Sequence, residues 1–218
     1  MGPLNGIKVL EFSGIGPGPY CGMLLADLGA DVIRLSRVSE KGAHNKFDIH
    51  NRSKRTIVAD LKNPKAIIEI KKIIKKVDVL FEGYRPGVME KLGLSPEKCL
   101  KLNESLVYGR MTGWGQDGPM SNQAGHDINY ISLSGALNAI GDQNSNPSIP
   151  LNLIGDYGGG GMMLAMGILA GVISSSKTGK GQVIDSAMID GSLSLMSFFY
   201  ALKQMGIWKD ERKSNFLD

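Results

Sequence analysis

Ile7-Lys8-Val9-Leu10-Glu11-Phe12, followed at once by Gly14-Ile15-Gly16-Pro17-Gly18-Pro19, stands near the start of a chain of 218 residues. The first run reads as a strand, the second as a tight loop, and Tyr20 to Leu28 as a helix that stops at Gly29. The following segments repeat the unit. Asp31 to Leu35 and Arg55 to Ala59 read as strands. Asn63-Pro64 starts a helix that runs to about Lys76, because proline early in a helix lacks only an N–H that would be unpaired there anyway. Val77 to Phe81 is a fourth strand, Ser95-Pro96-Glu97 opens a helix ending near Asn103, and Leu106 to Met111 is a fifth strand. This βαβα rhythm predicts an α/β fold, with an open, mainly parallel sheet and helices on both faces.

The second half changes character. Gly125 to Ile140 reads as a helix, Gly141 to Pro150 as a polar loop, and Tyr157 to Ser175 as a glycine-rich helix. A turn over 176–181 leads to a short strand, Gln182 to Ser186, and then to a long helix, Met188 to Gly206. The run from Tyr157 to Ser176 is uncharged and long enough to raise the question of a membrane. Its glycines favour instead a helix packed closely inside a protein. Trp208 to Asp218 is polar, with apolar Phe216 and Leu217 near its end, and matches no finished element.

Composition narrows the function classes. Hydrophobic residues at 42% and charged residues at 21% fit a soluble globular protein. The formal charge of +4 suits an anionic small molecule. No dense Lys/Arg block with interleaved aromatics is present, which argues against nucleic acid, and Lys71-Lys72-Ile73-Ile74-Lys75-Lys76 reads as the solvated face of an amphipathic helix. Cys21 and Cys99 lack ligand spacing, so neither a disulfide framework nor a metal site is indicated, and a reducing, cytoplasmic setting is expected. Met1-Gly2-Pro3-Leu4-Asn5-Gly6 has neither the charged start nor the apolar core of a signal peptide.

The first loop resembles a dinucleotide-binding turn, but the third glycine of that motif would fall on Pro19, and Arg34 and Arg37 stand where its acidic residue is expected. A tight turn and a ligand contact both stay open for it. In parallel α/β sheets ligands sit beyond the carboxyl ends of the strands. Arg37 follows the second strand. Arg52, Lys54 and Arg55 precede the third, and Asp60-Leu61-Lys62 follows it. Gly83-Tyr84-Arg85-Pro86-Gly87 and then Lys91 follow the fourth, and Thr112-Gly113-Trp114-Gly115 the fifth. The pattern predicts cations gathered at one rim, fit for a phosphate-rich ligand.

Two residues invite a proton-transfer role. His126 lies in Gly125-His126-Asp127-Ile128-Asn129-Tyr130, at a helix start, where an imidazole can give or take a proton near neutrality. His44 and His50 sit in a polar loop with no comparable setting. Asp156 lies in Leu151-Asn152-Leu153-Ile154-Gly155-Asp156-Tyr157, before Gly158 to Gly161. It reads equally as a helix N-cap and as a reactive carboxyl. A helix start would lower its pKa and burial would raise it.

These motifs together resemble the 2-methylacyl-CoA racemases of the family III CoA-transferases. Gly14 to Pro19, Ala26-Asp27-Leu28-Gly29-Ala30-Asp31-Val32-Ile33-Arg34, Glu82 to Val88, Met111 to Gln116, Ala124 to Tyr130, Pro150 to Leu153 and Gly179-Lys180-Gly181-Gln182-Val183 bear the resemblance, in order and along the whole chain. It implies a Rossmann-like large domain over 1–218, with the family's small domain, its C-terminal return segment and a glutamate that orients the catalytic histidine lying beyond this stretch. It implies interconversion of 2R and 2S epimers through an enolate, with His126 and Asp156 as proton carriers and the backbone N–H of Asp127 as donor to the enolate oxygen. It places Ile15, Arg37, Ala59, Asp60, Leu61, Lys62, Gly83, Tyr84, Arg85, Lys91, Gly125 and Tyr130 around coenzyme A. Lys91 stands where relatives have arginine, which keeps the charge and loses the planar fork. The implied partner is an acyl-CoA thioester, with coenzyme A as part of the substrate and no further cofactor or metal, no nucleic acid and no membrane, in an interlocked homodimer. Two alternatives share the resemblance: a CoA-transferase that forms an acyl anhydride on Asp156, and a fragment that binds acyl-CoA without turnover.

Overall fold

The computed structural model describes residues 2–40, 45 and 47–218, so His44 lies outside the described residues. Six strands form one parallel sheet: β1 (Lys8–Phe12), β2 (Asp31–Ser36), β3 (Arg55–Val58), β4 (Val79–Glu82), β5 (Val107–Thr112) and β6 (Gln182–Ala187), in the order β3-β2-β1-β4-β5-β6. Successive side chains on a strand point to opposite faces. Val9, Val32, Val79, Phe81 and Val107 therefore build one core with Cys21 and Leu25 of α1 (Pro17–Asp27). Leu10, Phe12, Leu35, Leu80 and Tyr108 build the other, with Ile70 and Ile74 of α2 (Pro64–Ile74). The short helices α3 (Val88–Lys91) and α4 (Pro96–Leu102) add Met89 and Cys99 to that second core. The expected two-faced α/β sheet is what forms.

The second half is more broken than its pattern suggests. The helix expected over 125–140 is two, α5 (Asp127–Leu133) and α6 (Ala136–Ala139), separated by Gly135 at φ 77°. The long helix expected from Met188 is also two, α8 (Met188–Leu195) and α9 (Ser197–Gln204). Between them the Met196 N–H is shared by the Ser192 and Leu193 carbonyls, each at 3.1 Å, which tightens the turn. The glycine-rich helix starts earlier than expected: a π-helix, Leu153–Met162, runs directly into α7 (Met163–Thr178). The glycines permit close backbone contact there. A Cβ on Gly191 of α8 would lie 1.9 Å from the Gly159 carbonyl oxygen, and one on Gly161 would lie 2.7 Å from that of Pro17. The combined segment Leu153–Thr178 is long and apolar enough to cross a membrane by length and composition. Its inner face, Leu164, Ala165 and Ile168, packs on the sheet, while Met162, Met166 and Ile173 are exposed.

Arg52, Lys54 and Arg55, at the start of β3, do not join the carboxyl rim. Arg52 Nε donates to Asp27 Oδ1 at 2.9 Å. Arg55 Nε donates to Asp31 Oδ1 at 3.0 Å, at the amino edge of the sheet where β2 and β3 begin. Lys54 is taken inside: its Nζ lies 2.7 Å from Glu11 Oε2, both side chains are 0% exposed, and Nζ also donates to the Pro19 carbonyl at 2.9 Å. Gly22 makes room, since a Cβ there would lie 2.0 Å from Glu11 Oε2. Burial pushes the Glu11 carboxyl from its ordinary 4.5 up to about 7, with Lys54 holding it back.

Removing one member of such a pair leaves a buried charge uncompensated, so Lys54→Met should cost about 3–5 kcal/mol, and Glu11→Leu/Lys54→Met much less. A carboxyl raised in the folded state contributes stability below its unfolded pKa and loses it as pH climbs through the folded one. Without Lys54 the Glu11 carboxyl rises further still, so urea midpoints of Lys54→Met should fall further behind the parent as pH climbs above about 7, where the parent carboxyl ionises and the variant's stays protonated.

Candidate functional site

Strand order reverses between β1 and β4, and in open parallel sheets ligands sit beyond the carboxyl ends of the strands at such a point. Three segments meet beside it: the Ser13–Gly16 loop after β1, the start of α5, and the first turn of the π-helix. Gly16, the residue before α1, has φ 65° and ψ −116°, a conformation that only glycine adopts readily. A Cβ there would sit 3.5 Å from Asp156 Oδ2, so a bare glycine backbone faces the Asp156 carboxylate. Asn152, one turn earlier, donates its Nδ2 to the same oxygen at 3.2 Å. Asp156 thus lies inside the π-helix and is not its N-cap; that position is Asn152.

The residue that caps Asp156 is Asp127. Its Oδ2 accepts the Asp156 N–H at 2.8 Å. Asp127 is 5% exposed, and burial pushes its carboxyl up while the amides of Asp156 and Gly155 pull it down. His126 precedes it as the N-cap of α5. The His126 N–H donates to Asn129 Oδ1 at 2.8 Å, and its carbonyl accepts the Asn129 N–H at 2.9 Å. The backbone is held while the imidazole stays exposed. Asp127 is the first residue of α5, where the helix supplies no acceptor for a backbone N–H. Beneath this turn Tyr130 is 3% exposed, with its ring 4.7 Å from Trp114, and burial raises its phenol to about 12. Gly125 leaves space for that ring, since a Cβ would lie 2.8 Å from it.

Other residues singled out in the sequence line the carboxyl rim. Arg37 lies over the Tyr84 ring at 5.9 Å, and Tyr84 stands edge-on to Phe12 at 6.2 Å, which links the ends of β2, β4 and β1. Gly83 and Arg85 flank Tyr84 and are exposed. The Ala59 N–H binds the Ser36 carbonyl at 3.1 Å, and Asp60 Oδ1 accepts the Lys62 N–H at 2.9 Å, so Ala59, Asp60, Leu61 and Lys62 form an ordered turn after β3. Lys62 and Lys91 are exposed, and Ile15 projects from its loop at 87% exposure. Set apart from these, His50 packs with Tyr20 and Tyr157, ring centres 5.9 and 5.6 Å away. The sequence reading overlooked Asn152 and the Asp127 carboxylate. The spacing of Asn152 to Asp156 is a helical i,i+4 pair, visible only once the helix is known to start at Leu153.

A family model described as CoA-transferase family III matches residues 4–215. The chain is 45% identical to the alpha-methylacyl-CoA racemases of Mus musculus and Homo sapiens over 99% of its length, covering 55% and 56% of those proteins. It is 32% identical to the succinyl-CoA:glutarate CoA-transferase of Homo sapiens, over 91% of this chain and 48% of that one. The chain therefore spans about half the length of the curated relatives it matches. Among solved structures, a CAIB/BAIF family protein from Brucella suis superposes with a TM-score of 0.87 at 28% identity, over 97% of this chain and 60% of that one.

Gly16→Ala forces a side chain into a glycine-only conformation beside Asp156, and should lower stability by about 1–3 kcal/mol in a denaturant titration.

Proposed function

The chain belongs to CoA-transferase family III, and on that footing we propose that it is the part of an acyl-CoA racemase that holds both proton carriers, His126 and Asp156. The observation that supports this most directly is the hydrogen bond from Asp156 N to Asp127 Oδ2 at 2.8 Å, which sets the residue after His126 against the backbone of Asp156. The similarity to the alpha-methylacyl-CoA racemases adds to it.

In the proposed reaction the thioester carbonyl acidifies the α-proton of a 2-methylacyl group. One carrier, in its basic form, takes that proton, and the C–H electron pair passes into the carbonyl to give a planar enolate. The other carrier, in its acidic form, returns a proton to the opposite face. The two exchange roles with each turnover direction, so one starts protonated when the other does not. The Asp127 N–H, preorganised at the start of α5, stabilises the charge that develops on the thioester oxygen. No electron or hydride moves, so the reaction calls for no redox carrier. Arg37, Lys62, Arg85 and Lys91 supply cations for the coenzyme A phosphates along the rim, and the exposed Ile15 and the Gly83–Tyr84 turn border the path to the reacting carbon.

A CoA-transferase relative at 32% identity keeps a second reading in view: attack of the Asp156 carboxylate on the thioester, with release of CoA and formation of an anhydride. That chemistry has no use for His126. Incubation of a 2R-methylacyl-CoA in deuterated water separates the two. Racemase action gives α-deuterium and scrambled epimers with no acceptor acid present, and His126→Ala abolishes both. Reaction that begins only when a free carboxylic acid is added identifies the transferase.

A further inference from the structure

Resting on that racemase reading, we propose that the Asp127 side chain is a positioning residue, whose carboxylate holds Asp156 in place for proton exchange. Asp127 is buried at 5% exposure, and no cation pairs with it among the described residues. Its Oδ1 is buried and has no hydrogen-bond partner among the described residues. A carboxylate is costly to bury in this way unless its remaining contacts are needed. Those contacts are specific. Oδ2 accepts the Asp156 N–H at 2.8 Å, and the Gly155 amide adds to it.

The fit is tight from the other side as well. A Cβ on Gly155 would lie 2.8 Å from Asp127 Oδ2 and 3.2 Å from its Cα, so α5 and the π-helix meet at this point without room for one more carbon. The consequence is geometric. A single residue offers its backbone N–H, beside His126, to the enolate oxygen and its carboxylate to the backbone of the second proton carrier. Asp156 is then held at two points: its backbone N–H by Asp127 and its Oδ2 by Asn152 at 3.2 Å. Displacement of a reacting group by about 1 Å can cost 10²-fold in rate, so this tie is expected to appear in turnover rather than in binding.

Three variants of the protein test it. Asp127→Asn keeps an acceptor of the same shape, Asp127→Ala removes it, and Gly155→Ala leaves the carboxylate but crowds it. Each is followed by α-deuterium incorporation into 2-methylacyl-CoA and by amide hydrogen exchange of a peptide spanning 153–162. Asp127→Ala and Gly155→Ala should lose about 100-fold in kcat with little change in KM, and should lose protection at the Asp156 amide. Asp127→Asn, whose side-chain oxygen still accepts, should keep the Asp156 amide protected and lose less kcat than Asp127→Ala. Wild-type kcat in Asp127→Ala overturns the proposal, as does full amide protection in that variant. Loss of activity in Asp127→Asn equal to that in Asp127→Ala overturns it too, because the charge rather than the tie would then matter. Absence of α-exchange in the unaltered protein defeats the racemase reading and the catalytic half of this proposal, whereas the amide protection difference stands or falls by itself.

Discussion

Parallel strands bury both faces, and that constraint organises the molecule. Every strand needs a helix above or below it, so each connection crosses from the carboxyl end of one strand to the amino end of the next. All turns that leave the strands therefore collect on one edge. The order reverses between β1 and β4, and the loops after Phe12 and Glu82 leave that edge from neighbouring strands. Gly16, Asp127 and Asp156, far apart in the chain, meet beside that edge.

Close backbone approach then does what side chains cannot. Gly16 and Gly155 both lie against carboxylates, of Asp156 and Asp127, and Gly159 touches Gly191 of α8. A π-helix in this position widens the turn that presents Asp156, and such segments recur at functional sites. The apolar face of α7 that remains exposed shows that the sheet does not use all of the helix it has.

The strands were legible because their apolar runs are short and bounded by glycine, proline and polar clusters, and each expected strand lies within a residue or two of the one observed. Less was legible where the signal is absence of a side chain. Glycines 158–161 carry no periodic pattern, so the sequence shows that helix only from Tyr157, and neither the start at Leu153 nor the place of Asn152 is visible in it. Ion pairing was also out of reach. Arg52, Lys54 and Arg55 read as rim cations because their acids, Asp27, Glu11 and Asp31, lie on elements remote in sequence. His126 and Asp156 stood out by residue type and by their glycine-rich settings; the carboxylate that ties their segments together did not, because Asp127 looks like any acid in a first helical turn.

The central claim is that an imidazole and a carboxyl reach one carbon from opposite sides. A crystal structure of the protein with a bound 2-methylacyl-CoA measures this directly. The account predicts the α-carbon between the His126 ring and the Asp156 carboxyl, each within proton-transfer reach and on opposite faces, with the thioester oxygen toward the Asp127 N–H. An α-carbon remote from either side chain, or both side chains on the same face of it, contradicts the account.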